Sequence, residues 1–324
     1  MELSLKSSHR KGGRLYANID RLCYFSYNSG DMKILILAAG SGTLRRLRAL
    51  VDRVGVCLVD ATVVISTIPD LFFCVDGNNT CIVDTVSGHD VSEFDLVVFR
   101  AVAENDNVYY EEALAVALYC QKHGTAFIDE CLSGGYLRAR KLATMMKLWA
   151  EDIFVPTTLF GSAHAMAKNI DKVGLPAILK ATDATHGKDN YKIDSVDEIA
   201  TIISSWPKKR FLLQNFIPND GDYRILVVGE EFNIEHRRAA AGRHVNNESA
   251  GGTSTPVDTM EGLETALVTA RKSARVLGLG VAGVDIIISP DGTPYVIEVN
   301  RAPQITSDKE AIAWANGLKG LLGG

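Results

Sequence analysis

The sequence predicts an α/β amino-terminal half joined to an α+β carboxy-terminal half, and three observations carry that expectation. From Met32 to about residue 130, short β-rich runs alternate with helical stretches, the pattern of an open and mainly parallel sheet. A break at Pro156 starts a second α/β pattern. Beyond Pro207 the strands lengthen and follow one another with little helix between them, which calls for antiparallel pairing. With 324 residues the chain is long enough for two or three packed units.

Taken in order, the first 31 residues are polar and without a sustained period, and are expected to be an extension ahead of a functional start at Met32. KILILA (33–38) is an apolar strand, TLRRLRALVDRVG a helix closed by Gly55, and VCLVDA a second strand. FFCVDGNNTCIVDTV suggests a hairpin around Asn78 and Asn79, residues that tolerate left-handed backbone angles. FDLVVFRA is a buried strand, VYYEEALAVALYCQKHG an amphipathic helix ending at Gly124, and TAFID a further strand. The domain so formed covers 32–135. A helix around RARKLATMMKLWAED, the strands PTTLFG, LPAILKAT and NYKID, and the helix SVDEIATIISSW fill 136–210. RFLLQNFI, DYRILVVGEEFNIEHRRAA, the helix MEGLETALVTARKSARVLG, the strands VAGVDIIIS and PYVIEVN and a last helix fill 211–324.

A net charge of −5 provides no global basic field to draw in nucleic acid. The six cysteines are scattered without a C-x-x-C pair or zinc-ligand spacing, which favours a reducing compartment and no structural zinc. No apolar run reaches the roughly 18 residues of a membrane span, so a cytoplasmic protein without a membrane partner is expected.

The stretch that carries chemistry is GVDIIISPDGTPYVIEVNRAP (283–303). SPDGTP is a turn between two β-rich runs. Pairing symmetric about that turn sets Ile288 against Tyr295 and Asp285 against Glu298, while Glu298 and Asn300, two residues apart, share a face. Facing carboxylates destabilise a sheet, and sinking them costs several kcal/mol unless a cation compensates. A few oxygen ligands of this kind suit magnesium, which fills its shell with water and nucleotide phosphates. Lys180 closes the apolar strand LPAILK ahead of the polar loop TDATHGKDN, from where an ammonium can meet a phosphate. Asp222 and Arg224 share a strand face, and HRR (236–238) adds guanidinium groups suited to carboxylate or transferring phosphoryl charge.

Lys141, LPAILK ending in Lys180, LLQNFI, GDYRILVVG, HRRA, NNESAGG and GVDIIIS...YVIEVNRAP resemble, in order and spacing, the ATP-grasp ligases, most nearly the RimK-like branch of ribosomal protein glutamate ligases. The resemblance runs from about Lys141 to Pro303. It implies an ATP-grasp fold, with an amino-terminal open-sheet domain and two α+β subdomains clasping ATP. It implies phosphates held by Lys141 and Lys180 under the 182–190 loop with His186 and Gly187, and adenine along Gln214, Asn215, Phe216 and Ile217. Ribose would meet Asp222, Asn247 would lie near the phosphates, and Mg2+ (or Mn2+) would be held by Asp285, Glu298 and Asn300. The implied reaction activates a carboxylate as an acyl phosphate, steadied by Arg224, Arg237 and Arg238, and passes it to an amine with release of ADP. Small amino-acid-like or peptide substrates follow from it, as does a homo-oligomer, dimer or tetramer.

The chain departs from that pattern in the phosphate loop, which carries Asp183 and a single Gly187, and at Asn215, where a glutamate often stands. Arg301, directly after EVN, can reach a substrate carboxylate. A second resemblance is narrower. LAAGSGT (37–43) is similar to the nucleotide loop of sugar-phosphate nucleotidyltransferases, but Leu44 stands where that family has arginine and no Pro-Lys pair follows. That leaves two alternatives, pyrophosphate-releasing nucleotidyl transfer and a catalytically degenerate ATP-binding module. The GSG turn is expected to line the far side of the cleft.

Overall fold

The computed structural model describes residues 25–26, 32–58, 61–77, 79–100, 109–132, 141–182, 189–241, 246, 251–259 and 262–321. Three sheets organise them. The first is ordered β1-β3-β2-β6-β7. In it β1 (Phe25–Ser26) lies antiparallel to β3 (Ala61–Thr67), while β2 (Met32–Ala38), β3, β6 (Leu96–Arg100) and β7 (Ala126–Ile128) run parallel. Residues 34–38 of β2 are wholly buried, as expected for a central parallel strand covered on both faces. Helices α1 (Ser41–Val54) and α2 (Tyr110–His123) connect the strands. Gly124, at φ +77, ends α2 by donating its N–H to the Cys120 carbonyl. The hairpin β4 (Leu71–Cys74) and β5 (Cys81–Asp84) forms where the asparagine pair placed it.

After α3 (Lys141–Ala150), the second sheet is ordered β10-β9-β11-β8, from β8 (Thr158–Phe160), β9 (Ala177–Ala181), β10 (Asn190–Ile193) and β11 (Phe211–Asn215), with helices α4 (Ala163–Lys168) and α5 (Val196–Ser205) against it. A capping box between Ser195 and Glu198 starts α5. The third sheet is ordered β14-β13-β12-β15-β16, from β12 (Asp222–Val228), β13 (Glu231–Arg238), β14 (Thr253–Pro256), β15 (Val281–Ile288) and β16 (Pro294–Asn300), all antiparallel, with α6 (Glu264–Val276) and α7 (Asp308–Gly320).

Core packing joins the first sheet to the third. Trp314 and Leu318 of α7 share one apolar cluster with Ile34, Ile36 and Leu47 of the first sheet and its helix and with Leu226 and Val281 of the third. Met166, Leu179, Ile193, Ile199 and Phe211 form a separate cluster confined to the second sheet and its helices. Among the described residues no helix is long and apolar enough to cross a membrane.

Three expectations need correction. VCLVDA is not the second strand: Gly55–Leu58 is a 3-10 turn continuing from α1, and the strand is Ala61–Thr67, whose Thr62-Val63-Val64-Ile65 run is β-branched throughout. The expected boundary at residue 210 cuts off β11, which pairs with β8 and β9 and so belongs to the second sheet. Finally, Phe25 and Ser26, within the expected extension, pair with Val63 and Thr62 and add a two-residue edge to the first sheet.

Candidate active site

Strand alternation assembles a charged face on the third sheet. Residues two apart on a strand share a side, and the register sets Glu235, Arg224, Asp285 and Glu298 in one row across β13, β12, β15 and β16. Arg237 stands opposite Asp222 in the neighbouring row on one side, and Asn300 opposite Gly283 on the other. The β15-β16 hairpin reaches this register by a detour. Its turn is closed by the Ser289 N–H bonding to the Thr293 carbonyl, with Gly292 at φ +85. Ile288 therefore pairs with Pro294 and not, as symmetry suggests, with Tyr295. A β-bulge then absorbs Ile297, and Asp285 falls opposite Glu298 after all.

Two guanidinium groups offset part of the row's negative charge. Arg224 forks onto Asp285, with Nε donating to Oδ1 and Nη2 to Oδ2, both at 2.9 Å. Arg237 bridges two carboxylates: its Nε donates to Asp222 Oδ1 at 2.6 Å and its Nη2 lies 3.0 Å from Asp285 Oδ2. Asn246 Nδ2 donates to the other Asp222 oxygen at 3.1 Å. Burial pushes the Asp285 carboxyl up, but Arg224 and Arg237 outweigh it and hold the group at about 2. Asn300 makes only marginal contacts of 3.5 Å, with Asp285 and with the Gly283 carbonyl.

Two lysines reach this face from elsewhere. Lys141, the first residue of α3, places Nζ 3.6 Å from Glu298 Oε1. Lys180, on β9 of the second sheet, is pulled below the ordinary lysine range by burial, against the opposing pull of Glu298, and with Lys141 acting in the same sense as burial. A desolvated ammonium of this kind gains from an anion brought to it. Two carboxylates and an amide also leave up to half of a six-coordinate hard cation's oxygen shell to be filled by water and phosphate. Among the described residues no group of three or more His, Cys, Asp or Glu side chains forms a metal cluster. Asp285, Glu298 and Asn300 thus offer two carboxylates and an amide, a donor set suited to a hard cation that completes its shell elsewhere.

The hinge strand β11 sets Gln214 inside, its Nε2 donating to Thr158 Oγ1 at 2.9 Å. The Asn215 N–H bonds to the Thr157 carbonyl at 3.2 Å, and its buried Oδ1 has no hydrogen-bond partner among the described residues. Beyond the strand, Phe216 lies under Lys192, with Nζ 5.1 Å from the ring centroid, and the Ile217 carbonyl accepts from Asn219 Nδ2 at 2.7 Å. Arg238 is exposed, 3.7 Å from Asp220. His186, Gly187 and Asn247, with Asp183, lie outside the described residues.

Two residues at the edge of this region have no signal in the sequence pattern. Arg100, the last residue of β6, is buried and donates from Nη2 to the Pro303 carbonyl at 2.8 Å. Asp129, directly after β7, accepts on Oδ1 from the N–H groups of Gly280 at 3.0 Å and Val281 at 3.4 Å. The Gly40-Ser41-Gly42 turn lies at the same edge, since Ala38 at the end of β2 pairs with Arg100. Gly40 has extended backbone, φ 177, and its carbonyl accepts the first N–H bonds of α1.

Comparison with known proteins gives the chain a family and its fold a set of relatives. The model of the RimK-like ATP-grasp domain matches residues 139–315. A probable alpha-L-glutamate ligase of Cellvibrio japonicus (strain Ueda107) is 30% identical over 231 residues, 69% of this chain and 74% of that protein. Another, of Maridesulfovibrio salexigens, is 32% identical over 67% of this chain and 71% of its own length. Among solved structures, the ATP-grasp ligase PsnB, complexed with a phosphomimetic variant of minimal precursor, Mg and ADP, superposes with a TM-score of 0.69 at 14% identity, over 91% of this chain and all of that one. A RimK domain protein of Sphaerobacter thermophilus superposes at 0.56 with 20% identity, over 89% of this chain and all of that one.

Proposed function

The chain belongs to the RimK-like ATP-grasp family of ADP-forming carboxylate-amine ligases, and on that premise we propose that it activates a carboxylate as an acyl phosphate and transfers the acyl group to an amine. The observation that carries this reading is the convergence of Lys141 and Lys180, from two other parts of the fold, on the row that holds Arg224, Asp285 and Glu298.

In this reading ATP lies between the second and third sheets. The hinge residues Gln214 to Ile217 hold the base, the unpartnered Asn215 Oδ1 supplies an acceptor there, and Asp222 takes the ribose. Asp285, Glu298 and Asn300 hold magnesium, which when bound neutralises phosphate oxygens and aligns them. Lys141 and Lys180 add two positive charges, and Lys141 exchanges Glu298 for phosphate as nucleotide enters. The substrate carboxylate attacks the γ-phosphorus, ADP leaves with the bond electrons, the amine nitrogen then attacks the acyl carbon, and phosphate departs with the C–O bond electrons and takes up the proton that the nitrogen loses as the amide forms. Positioning and charge neutralisation perform this chemistry without an enzyme nucleophile. Arg224 and Arg237, fixed by Asp285 and Asp222, offer guanidinium N–H donors to the transferring group, with Arg238 at its exposed margin. His186, Gly187 and Asn247 belong to the phosphate cover in the same proposal. The substrates are amino acids or peptides. Mg–ATP is bound by these residues, and the Gly40–Gly42 turn has no part in holding it.

A panel of amino-acid pairs incubated with Mg–ATP tests the proposal. ADP and phosphate should appear only when carboxylate and amine are both present, and Lys180→Ala should lower kcat/KM by two orders of magnitude or more. Pyrophosphate as the product, or undiminished turnover by the Lys180 variant, overturns it.

A further inference from the structure

The carboxyl edge of the first sheet meets the third sheet beside the metal hairpin, and three charged groups collect there. Gly280 and Gly283 make the approach possible: a Cβ at 280 would lie 2.5 Å from Ile128 Cγ2, and one at 283 would lie 2.8 Å from Pro303 Cβ. Through these two contacts Ile128 of β7 rests on the start of β15, and Pro303 folds back over the strand that carries Asp285. Arg100 then binds the Pro303 carbonyl, and Asp129 accepts from the N–H groups of Gly280 and Val281, where β15 begins. Arg301 follows Asn300 directly, so its guanidinium stems from the end of the proposed metal strand.

These groups act on one another. Burial pushes the Asp129 carboxyl up to about 7, while the two backbone N–H groups, Arg100 and Arg301 hold it down. Both guanidinium charges are therefore within electrostatic reach of one carboxylate, in a half-buried place where charge is not fully screened. The outcome is a small site carrying both signs, beside the row that would hold the phosphates. Such a site has the chemistry of a zwitterion receptor: a carboxyl group whose ionised form an incoming ammonium favours and a planar guanidinium for a carboxylate.

We propose that Asp129 and Arg301, braced by Arg100, form the subsite that receives an amino-acid substrate, Asp129 taking its α-ammonium and Arg301 its α-carboxylate. The inference rests on the ligase reading and deepens it, because it assigns substrate class to the first domain's strand ends and leaves the nucleotide to the other two sheets. Arg100 is a positioning residue: it fixes the segment from Arg301 to Pro303 through the Pro303 carbonyl.

The test titrates L-glutamate, L-alanine and glycine, each beside the amine that lacks its α-carboxylate, into the full chain loaded with Mg–AMPPNP, with calorimetric readout. At least one amino acid should bind tenfold or more tightly than its decarboxylated amine. Arg301→Gln should abolish that ratio and leave the Mg–AMPPNP affinity unchanged. Asp129→Asn, which keeps an acceptor for the two N–H groups, should weaken amino acid and amine alike by tenfold or more. A ratio that survives Arg301→Gln overturns the proposal, as does a wild-type chain that holds Mg–AMPPNP and none of the three amino acids. Failure to hold Mg–AMPPNP at all overturns the ligase reading, and this inference with it. If Asp129→Asn does not fold, the Arg301→Gln result decides.

Discussion

At the scale of residues, Asp285 is the pivot, since Arg224 and Arg237 both direct charge at it and it is almost wholly buried. Removing one partner of a buried pair leaves uncompensated charge, typically about 3–5 kcal/mol. Asp285→Ala should therefore lower unfolding free energy in urea by about that amount, whereas Arg238→Ala, at an exposed pair, should stay within about 0.5 kcal/mol. Asp285 and Asp129 also differ in pH sense. Asp285 lies at about 2, below its ordinary 3.8, so its stabilisation is present above pH 4 and is lost as pH falls through 2. Asp129 lies at about 7, above its ordinary 3.8, so its contribution is full below pH 4 and is lost as pH rises through 7. Asp129→Asn should consequently gain stability over wild type between pH 5 and pH 8, by up to about 4 kcal/mol at 1.36 kcal/mol per pK unit. A gap that does not change with pH would refute this. The Asp285 row was legible because D-x-R and E-V-N place polar or charged side chains two apart on strands, and G-V-D sets Asp285 on the strand between them, where period alone decides the face. Arg100 and Asp129 were not: each ends a strand, and their partners lie 203 and 151 residues away, a separation that no local period records.

At the scale of elements, the hairpin shows how a correct pairing can be read through an incorrect turn. Counting back from Ile288 and Tyr295 gives Asp285 opposite Glu298, yet the turn half of the hairpin is one residue out of that register and Ile297 makes up the difference. Turn chemistry and site chemistry are set independently there: Gly292 and the Ser289-Thr293 bond close the loop, and the bulge restores the face. The misplaced second strand has a different origin. VCLVDA is the more apolar stretch, but ATVVIST is the one in register to lie parallel with the whole of β2, from Met32 against Ala61 to Ala38 against Thr67. Close approach of elements is a further tertiary property. Gly280 is an ordinary glycine in the sequence, and in the fold it is where β7 touches β15. Gly280→Ala should cost about 1–3 kcal/mol by overpacking against Ile128. It should also loosen Asp129 from its two N–H donors, detectable as faster amide exchange at Val281. Unchanged stability and exchange would mean that the contact relaxes at no cost.

At the scale of the whole molecule, the division of the core decides what can move. The first and third sheets share apolar clusters that run through α7, α2 and α6, so they should open together. The second sheet closes its own core between Met166, Leu179, Ile199 and Phe211, and the charge it presents to the third sheet includes Lys180, a desolvated cation. That arrangement describes a body held by hinge and electrostatics more than by hydrophobic burial, and a ligand with phosphate charge would bridge it to the carboxylate row. Ligand binding to the native state alone stabilises by about 2.7 kcal/mol at a hundredfold excess over Kd, and here that gain should fall unevenly. With Mg–AMPPNP at such an excess, amide exchange in β9, β10 and β11 should slow by up to about a hundredfold, while β2, β3 and β6, buried with or without nucleotide, should change little. Omission of magnesium should remove most of the effect, because Asp285 and Glu298 would then face phosphate oxygens with no cation between them. Equal slowing in all three sheets would show that they already behave as one cooperative unit, and that the second sheet is not the part that closes on the nucleotide.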